Sequence, residues 1–224
     1  MRVLCSFLKG ENMLRDMLGF VLSTCLLAGC AQSEKQLDLE LAALLQVLPG
    51  SYVGEAPNAF SPDREMQTIF HKMAPIDAPQ FGERVFYYQL STESADGPAM
   101  QMKVFVFDSD PDRAANHMSA YIFMPGQAAG NLEKDTDRVT ALEPAELMSF
   151  PSECAFTWLP VEGGFEGVVH SSDCAYPSQA FKQTVRPAMT YRILGDRFEL
   201  DETLYGEDMS IIITTDGPLP AYRQ

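Results

Sequence analysis

The sequence predicts a mainly β protein, an antiparallel barrel or strongly bent sheet with one N-terminal and one internal helix. Three observations lead there. From Glu83 onward, apolar residues recur with period two in short segments. Turn pairs such as Asp96-Gly97 and Gly195-Asp196 separate these segments at hairpin spacing. On the segment Met100–Asp108 neither alternating face is fully polar, which suits a sheet curled around a filled interior and partly covered outside.

The chain opens on an address. The apolar run Met17–Leu27 spans roughly 16 Å as a helix, about half a bilayer core. Arg15 precedes it and small residues close it, the layout of a signal peptide rather than of a membrane span. The closing residues Leu27-Ala28-Gly29-Cys30 resemble the lipobox of bacterial lipoproteins. That resemblance implies cleavage before Cys30, a diacylglyceryl thioether on Cys30 and acylation of the new amino terminus. Two or three acyl chains anchor stably where one does not. Ala31, in place of an Asp, points to the periplasmic face of the outer membrane. A compact leader with Arg15 as its basic region starts at Met13, which makes Met13 an alternative to Met1 as the start. Residues 1–29 are thus expected to be the leader, 30–36 a lipidated tether, and 37–224 a single domain.

Ser33-Glu34-Lys35-Gln36 has the form of a capping box. Leu37, Leu41, Leu44, Leu45 and Leu48 follow at helical spacing, and Pro49-Gly50 ends the helix. Its apolar stripe is expected to plug the core. Two strands, Glu83–Ser91 and Met100–Asp108, follow as a hairpin. On the second, Met100, Met102, Val104 and Val106 share one face, and Gln101, Lys103, Phe105 and Phe107 the other. Asp110-Pro111 looks like an N-cap and first helical residue, predicting a helix over Pro111–Phe123 with Ala114, His117, Met118 and Tyr121 on one face. Strands then recur in "MTYRIL", "RFELDETLY" and "MSIIIT". About eight to ten short strands with hairpin connections suit a lipocalin-like barrel.

The whole chain carries 16 Lys and Arg against 31 Asp and Glu, a formal net charge of −15. That argues against nucleic acid as a partner, because phosphate backbones reward basic surfaces. Two cysteines remain after the leader and the lipid anchor, Cys154 and Cys174. An even pair in an oxidising compartment suggests a disulfide. Read as a hairpin with an odd-numbered loop centred near Gly163-Gly164, the segment places the two cysteines directly opposite each other. The alternative for the pair is a reactive thiol. The histidines His71, His117 and His170 lack metal-ligand spacing, so no metal is expected.

The order of motifs resembles the CpcT/CpeT family of phycobiliprotein chromophore lyases. It runs through "LLQVLPGSYVGEAPNAF", "MAPIDAPQFGERVFYYQLS", "MSAYIF", "CAFTWLPVEGGFEGVV…DC" and "DETLYG", covering Leu44 to Pro218. The resemblance implies a calycin-type barrel, often a homodimer, that binds a linear tetrapyrrole (bilin) and attaches it to a cysteine of a protein acceptor. No cofactor is required beyond the bilin itself. Carried over residue by residue, the ligand-binding candidates are Tyr88 and Gln89 in "YYQ", Tyr121 in "AYIF", and Tyr205 before Gly206. Lys103 stands where the family usually carries arginine, as a partner for a bilin propionate. Asp201 and Glu202 are carboxylates suited to pyrrole N–H groups, and Asp201 is carried forward as the binder. No residue is assigned a catalytic role.

Two functions follow. One is a lipid-anchored bilin lyase. The other is a non-catalytic envelope binding module, lipocalin-like, for a small apolar ligand or a partner protein. Both need the same apolar lining with few polar groups.

Overall fold

A computed structural model describes residues 34–57, 65–111, 114–123 and 139–224. The leader, Cys30 and the Ser33 position of the capping box lie outside these residues. The first element is helix α1 (34–47). Strands β1 (Gly50–Pro57), β2 (Met66–Pro75), β3 (Val85–Ser91), β4 (Ala99–Asp110) and β5 (Ala115–Ile122) follow. After the short β6 (Met148–Ser149) come β7 (Phe156–Val161), β8 (Gly164–Val169) and the short β9 (Tyr176–Ser178). The chain ends with β10 (Gln183–Leu194), β11 (Arg197–Tyr205), β12 (Ile211–Thr214) and β13 (Leu219–Arg223).

Every strand pairing is antiparallel. Ten strands form a closed ring, in the order β13, β1, β2, β3, β4, β5, β7, β8, β10, β11 and back to β13. Closure removes the exposed edges that an open sheet presents. The fold is therefore mainly β, a closed calycin- or lipocalin-like barrel with one long helix and a short helical turn at 139–141.

The N-terminal helix is where the leucine spacing predicts it. Leu37, Leu41, Leu44 and Leu48 are buried. Leu41, Leu44 and Leu48 pack in one cluster with Tyr52, Phe86, Phe107, Trp158 and Phe198, closing one end of the barrel. The helix ends on the C-terminal strand. Arg223 donates to the carbonyls of Val47 and Pro49 and to the Tyr52 hydroxyl. A helix C-terminus leaves carbonyls unpaired and carries partial negative charge, so a guanidinium suits it on both counts.

The segment Pro111–Phe123 is not the predicted helix. Its described residues run as strand β5, paired with β4 from Lys103↔Ile122 to Asp110↔Ala115. Both faces of β5 are covered, so its apolar residues do not alternate cleanly with polar ones. A short run of that kind resembles a helix face. Pro111 sits in the hairpin turn, where its fixed φ serves as well as it would at a helix start. The turn closes with the Ala114 amide donating to the Pro111 carbonyl.

Covering of the outer face is the second layer of the fold. Met102 and Val104 of β4 point outward into a cluster with Ala78, Phe81, Val85, Tyr87, Phe123, Val139 and Leu147. Gln80 holds this cover down by donating to the carbonyls of Val139, Thr140 and Leu142. Phe105 and Phe107, on the opposite face, belong to the interior.

Cys154 and Cys174 form a disulfide with Cα atoms 4.6 Å apart. The register that suggested it differs. The hairpin pairs Thr157 with Val168 and Val161 with Gly164, so the turn is the two-residue Glu162-Gly163 and not an odd-numbered loop. Gly163 takes φ +83°, as such a tight turn requires. The cysteines thus sit beyond the paired strands, Cys154 in a 3-10 turn before β7 and Cys174 after β8. Gly167 has a packing reason: a Cβ there would stand 2.4 Å from the buried Trp158 indole.

Candidate ligand-binding site

The end of the barrel opposite α1 is open and holds a cavity of about 240 Å³. Its walls are the first residues of β4, β7 and β10 and the last of β5 and β11. Phe105, Ile122, Phe150, Phe156, Met189 and Tyr176 supply most of the apolar lining. Phe150 and Tyr176 meet edge to face at the mouth, with ring centroids 4.9 Å apart. The disulfide ties together the segments carrying these two rings, and Cys154 itself lines the cavity. A broader groove of about 1080 Å³ adjoins, sharing Gln101, Ile122, Phe150 and Tyr176 and continuing to Phe181.

Below the cavity an aromatic layer fills the barrel. Tyr191 stacks obliquely on Phe156 at 4.5 Å and meets Phe198 at 5.7 Å. His71 meets Phe198 at 5.1 Å, and Tyr88 lies 5.3 Å from Phe105. The cavity is therefore a cup with a solid floor.

Polar groups concentrate on that floor. Lys103 on β4 faces Tyr88 across the β3–β4 ladder. Its ammonium donates to the Tyr191 hydroxyl at 3.3 Å and lies over the rings of Tyr88 and Tyr191, 5.5 and 5.9 Å from their centroids. Such placements favour a cation electrostatically. The Tyr191 hydroxyl donates in turn to Glu202 Oε1 at 2.7 Å. Deeper in, His71 Nδ1 and the Tyr88 hydroxyl share a hydrogen bond of 2.8 Å. His71 Nε2 is buried without a partner among the described residues.

Burial governs the ionisation of these groups. It lowers the His71 value from 6.5 to about 4, with the Lys103 charge adding to the effect, so the imidazole is neutral at pH 7. It lowers the Lys103 value, against the opposing pull of Glu202. It raises Tyr88 and Tyr191, and the Glu202 carboxylate raises both further. Both phenols stay protonated and remain hydrogen-bond donors.

The sequence-derived candidates divide. Tyr88 and Lys103 come together in the interior. Gln89, next to Tyr88 in sequence, points to the outer face, where its amide donates to the Gly97 carbonyl at 2.8 Å and braces the β3–β4 turn. Tyr121 also faces outward, packing edge to face on Phe81 at 5.2 Å. Asp201 accepts from the Thr215 hydroxyl away from the cup. Tyr205 lies near the end of the β10–β11 ladder, opposite Arg186, and is not among the cavity-lining residues. Glu202, not Asp201, lines the cavity. A shift of one residue along a strand changes the face, and the two-residue turn at Gly195-Asp196 fixes which carboxylate goes in. Sequence reasoning misses Tyr191 and weighs His71 only as a metal ligand. The available signal was parity: Met189, Tyr191 and Ile193 alternate on one apolar face, and Glu202 shares its face with Phe198, Leu200 and Leu204.

Fold and site define a class, an antiparallel calycin- or lipocalin-like barrel with a plugged end and an apolar cup at the other. Among solved structures, the selenomethionine CRL protein of Arabidopsis is similar over 86% of this chain and 99% of its own, with a TM-score of 0.54 and 11% identity. At that identity the likeness is one of fold. No protein-family profile and no curated protein matches the chain.

Proposed function

We propose that this protein is an envelope-anchored binding barrel that takes a small, mainly apolar conjugated molecule of the linear tetrapyrrole type into its open end. The observation that carries the reading is the Lys103–Tyr191–Glu202 chain at the bottom of a mainly apolar, aromatic cup. Ligand sites of this class are apolar pockets with a few placed polar groups. A cavity of about 240 Å³ falls below the roughly 300–1,000 Å³ that takes in a whole drug-sized ligand. A tetrapyrrole therefore enters by one end, and its remainder lies along the adjoining groove. The lipobox-like Leu27-Ala28-Gly29-Cys30 supports anchoring at the periplasmic face of the outer membrane.

The experiment is titration of the purified protein with biliverdin or phycocyanobilin. A shifted, intensified long-wavelength absorption band is expected, because an enclosed site restricts the chromophore's conformations. An unchanged spectrum at saturating protein removes the tetrapyrrole from the reading.

A second reading is transfer of the bound bilin to a protein cysteine, as the CpcT/CpeT resemblance implies. Two features favour it. Cys154 and Cys174 are bonded to each other, so neither competes for the bilin as a thiol and the acceptor sulfur comes from a partner. Lys103 lines the cup, and burial lowers its value, so its ammonium supplies the more acidic proton donor there for a thiol addition. Adding a bilin-free phycobiliprotein subunit and looking for pigment that survives denaturation tests it. Binding without such transfer leaves the carrier reading alone.

A further inference from the structure

The floor of the cup holds one cation and one anion, with the Tyr191 hydroxyl between them. Both have hydrogen-bonding capacity left over. An ammonium has three donors. Lys103 spends one on Tyr191 at 3.3 Å, a long bond by ordinary standards, and otherwise faces aromatic rings. Glu202 accepts the Tyr191 proton on Oε1, and among the described residues its Oε2 accepts no side-chain bond. Both residues line the cavity, so an entering ligand meets a donor and an acceptor with capacity to spare, within two hydrogen bonds of each other.

Charge decides what fits them. A ligand carboxylate on Lys103 brings a second anion beside Glu202, in a site walled by aromatic rings where charges are poorly screened. A hydrocarbon end leaves both charges unsolvated. An uncharged end that presents a C=O next to an N–H satisfies both and adds no net charge. We propose that Lys103 and Glu202 form a clamp selecting an uncharged ligand end in which a carbonyl and an N–H are neighbours, as in a lactam, imide or primary amide, over a carboxylate end. The carbonyl accepts from Lys103 Nζ and the N–H donates to Glu202. The clamp presupposes the binding cup proposed above and specifies its ligand. A linear tetrapyrrole ends in lactam rings, so it would enter by a terminal ring and leave its propionates towards the mouth.

Three bicyclic aromatic probes separate the possibilities in the detergent-solubilised full chain: 2-quinolinone, a lactam; 2-naphthoate, a carboxylate; and naphthalene, which has no polar end. Affinities come from calorimetric or fluorescence titration. Quinolinone should bind at least about tenfold tighter than naphthoate, as the loss of a hydrogen bond to a charged group implies. Lys103→Met and Glu202→Gln should each weaken quinolinone about tenfold or more without weakening naphthalene, which is relieved of a charge it cannot solvate. Naphthalene binding at least as tight as to the unsubstituted protein also reports that the variants are folded. Naphthoate binding as tightly as quinolinone, or variants that weaken naphthalene just as much, overturns the clamp while the cup stands. Failure of all three probes to bind the unsubstituted protein overturns the cup and the clamp together.

Discussion

His71 shows how much one buried side chain contributes to the acid sensitivity of this protein. The imidazole lies on the barrel interior, hydrogen-bonded to Tyr88 and packed on Phe198. Its folded value of about 4 lies below the unfolded 6.5, so the unfolded chain takes up a proton that the folded chain refuses. The stabilisation is complete above about pH 6.5 and is lost as pH falls towards 4. Linkage puts the change at about 3 kcal/mol. Unfolding free energies from urea titrations between pH 7 and 4 should fall steeply in the native protein and by roughly 3 kcal/mol less in His71→Gln. Parallel pH profiles for the two proteins would remove His71 from the account. The motif resemblance was enough to pick out Lys103 and Tyr88, two residues that share the barrel interior. It was not enough for Gln89, Tyr121 and Asp201. Their chemistry suits a ligand, but their strand parity sends them outward, and parity follows from register rather than from residue type.

Two devices hold the ends of the barrel, and each lies between elements remote in sequence. At the plugged end, Arg223 of β13 caps α1. Arg223→Ala leaves the Val47 and Pro49 carbonyls and the Tyr52 hydroxyl without that donor. It should lower unfolding stability by about 2 kcal/mol in denaturant titration, in the range for hydrogen bonds involving a charged group. At the open end, the disulfide joins the turn before β7 to the turn after β8. Its closed loop, with partners 20 residues apart, is worth roughly 3 kcal/mol in the chain-entropy model. Cys154→Ser with Cys174→Ser should lower the melting temperature accordingly. It should also weaken binding of the naphthalene probe, because Phe150 and Tyr176 lose their tie. A double variant with native melting would contradict the first expectation. The helix α1 and the strand pairs β3–β4 and β10–β11 were legible because their periodicities are clean and their turns carry Gly. β5 was not, since covering on both faces erased the alternation that marks a strand.

Closure of the ring places α1 and the cup at opposite ends. The described chain begins at Glu34 on α1, at the plugged end, while the cavity opens at the other. If Cys30 carries acyl chains, as proposed, the cup faces away from the bilayer and receives its ligand from the aqueous side. Cys30→Ser should move the protein from the membrane fraction to the soluble fraction of its cell, and mass spectrometry of the native protein should find an acylated residue 30. A native chain that retains its leader and carries no lipid would end the anchoring proposal.

The amino-acid order alone was sufficient for the barrel class, the first helix, several hairpins and the partnership of Cys154 with Cys174. Those features rest on local periodicity, on Gly turns and on the small number of cysteines. It was insufficient for which end opens, which of two adjacent carboxylates enters the cup, and which tyrosines share its floor. These depend on how β4, β10 and β11, far apart along the chain, are brought onto one interior face by the closing of the ring. Register between strands is a cooperative property of all ten, so it becomes definite only once the ring is complete.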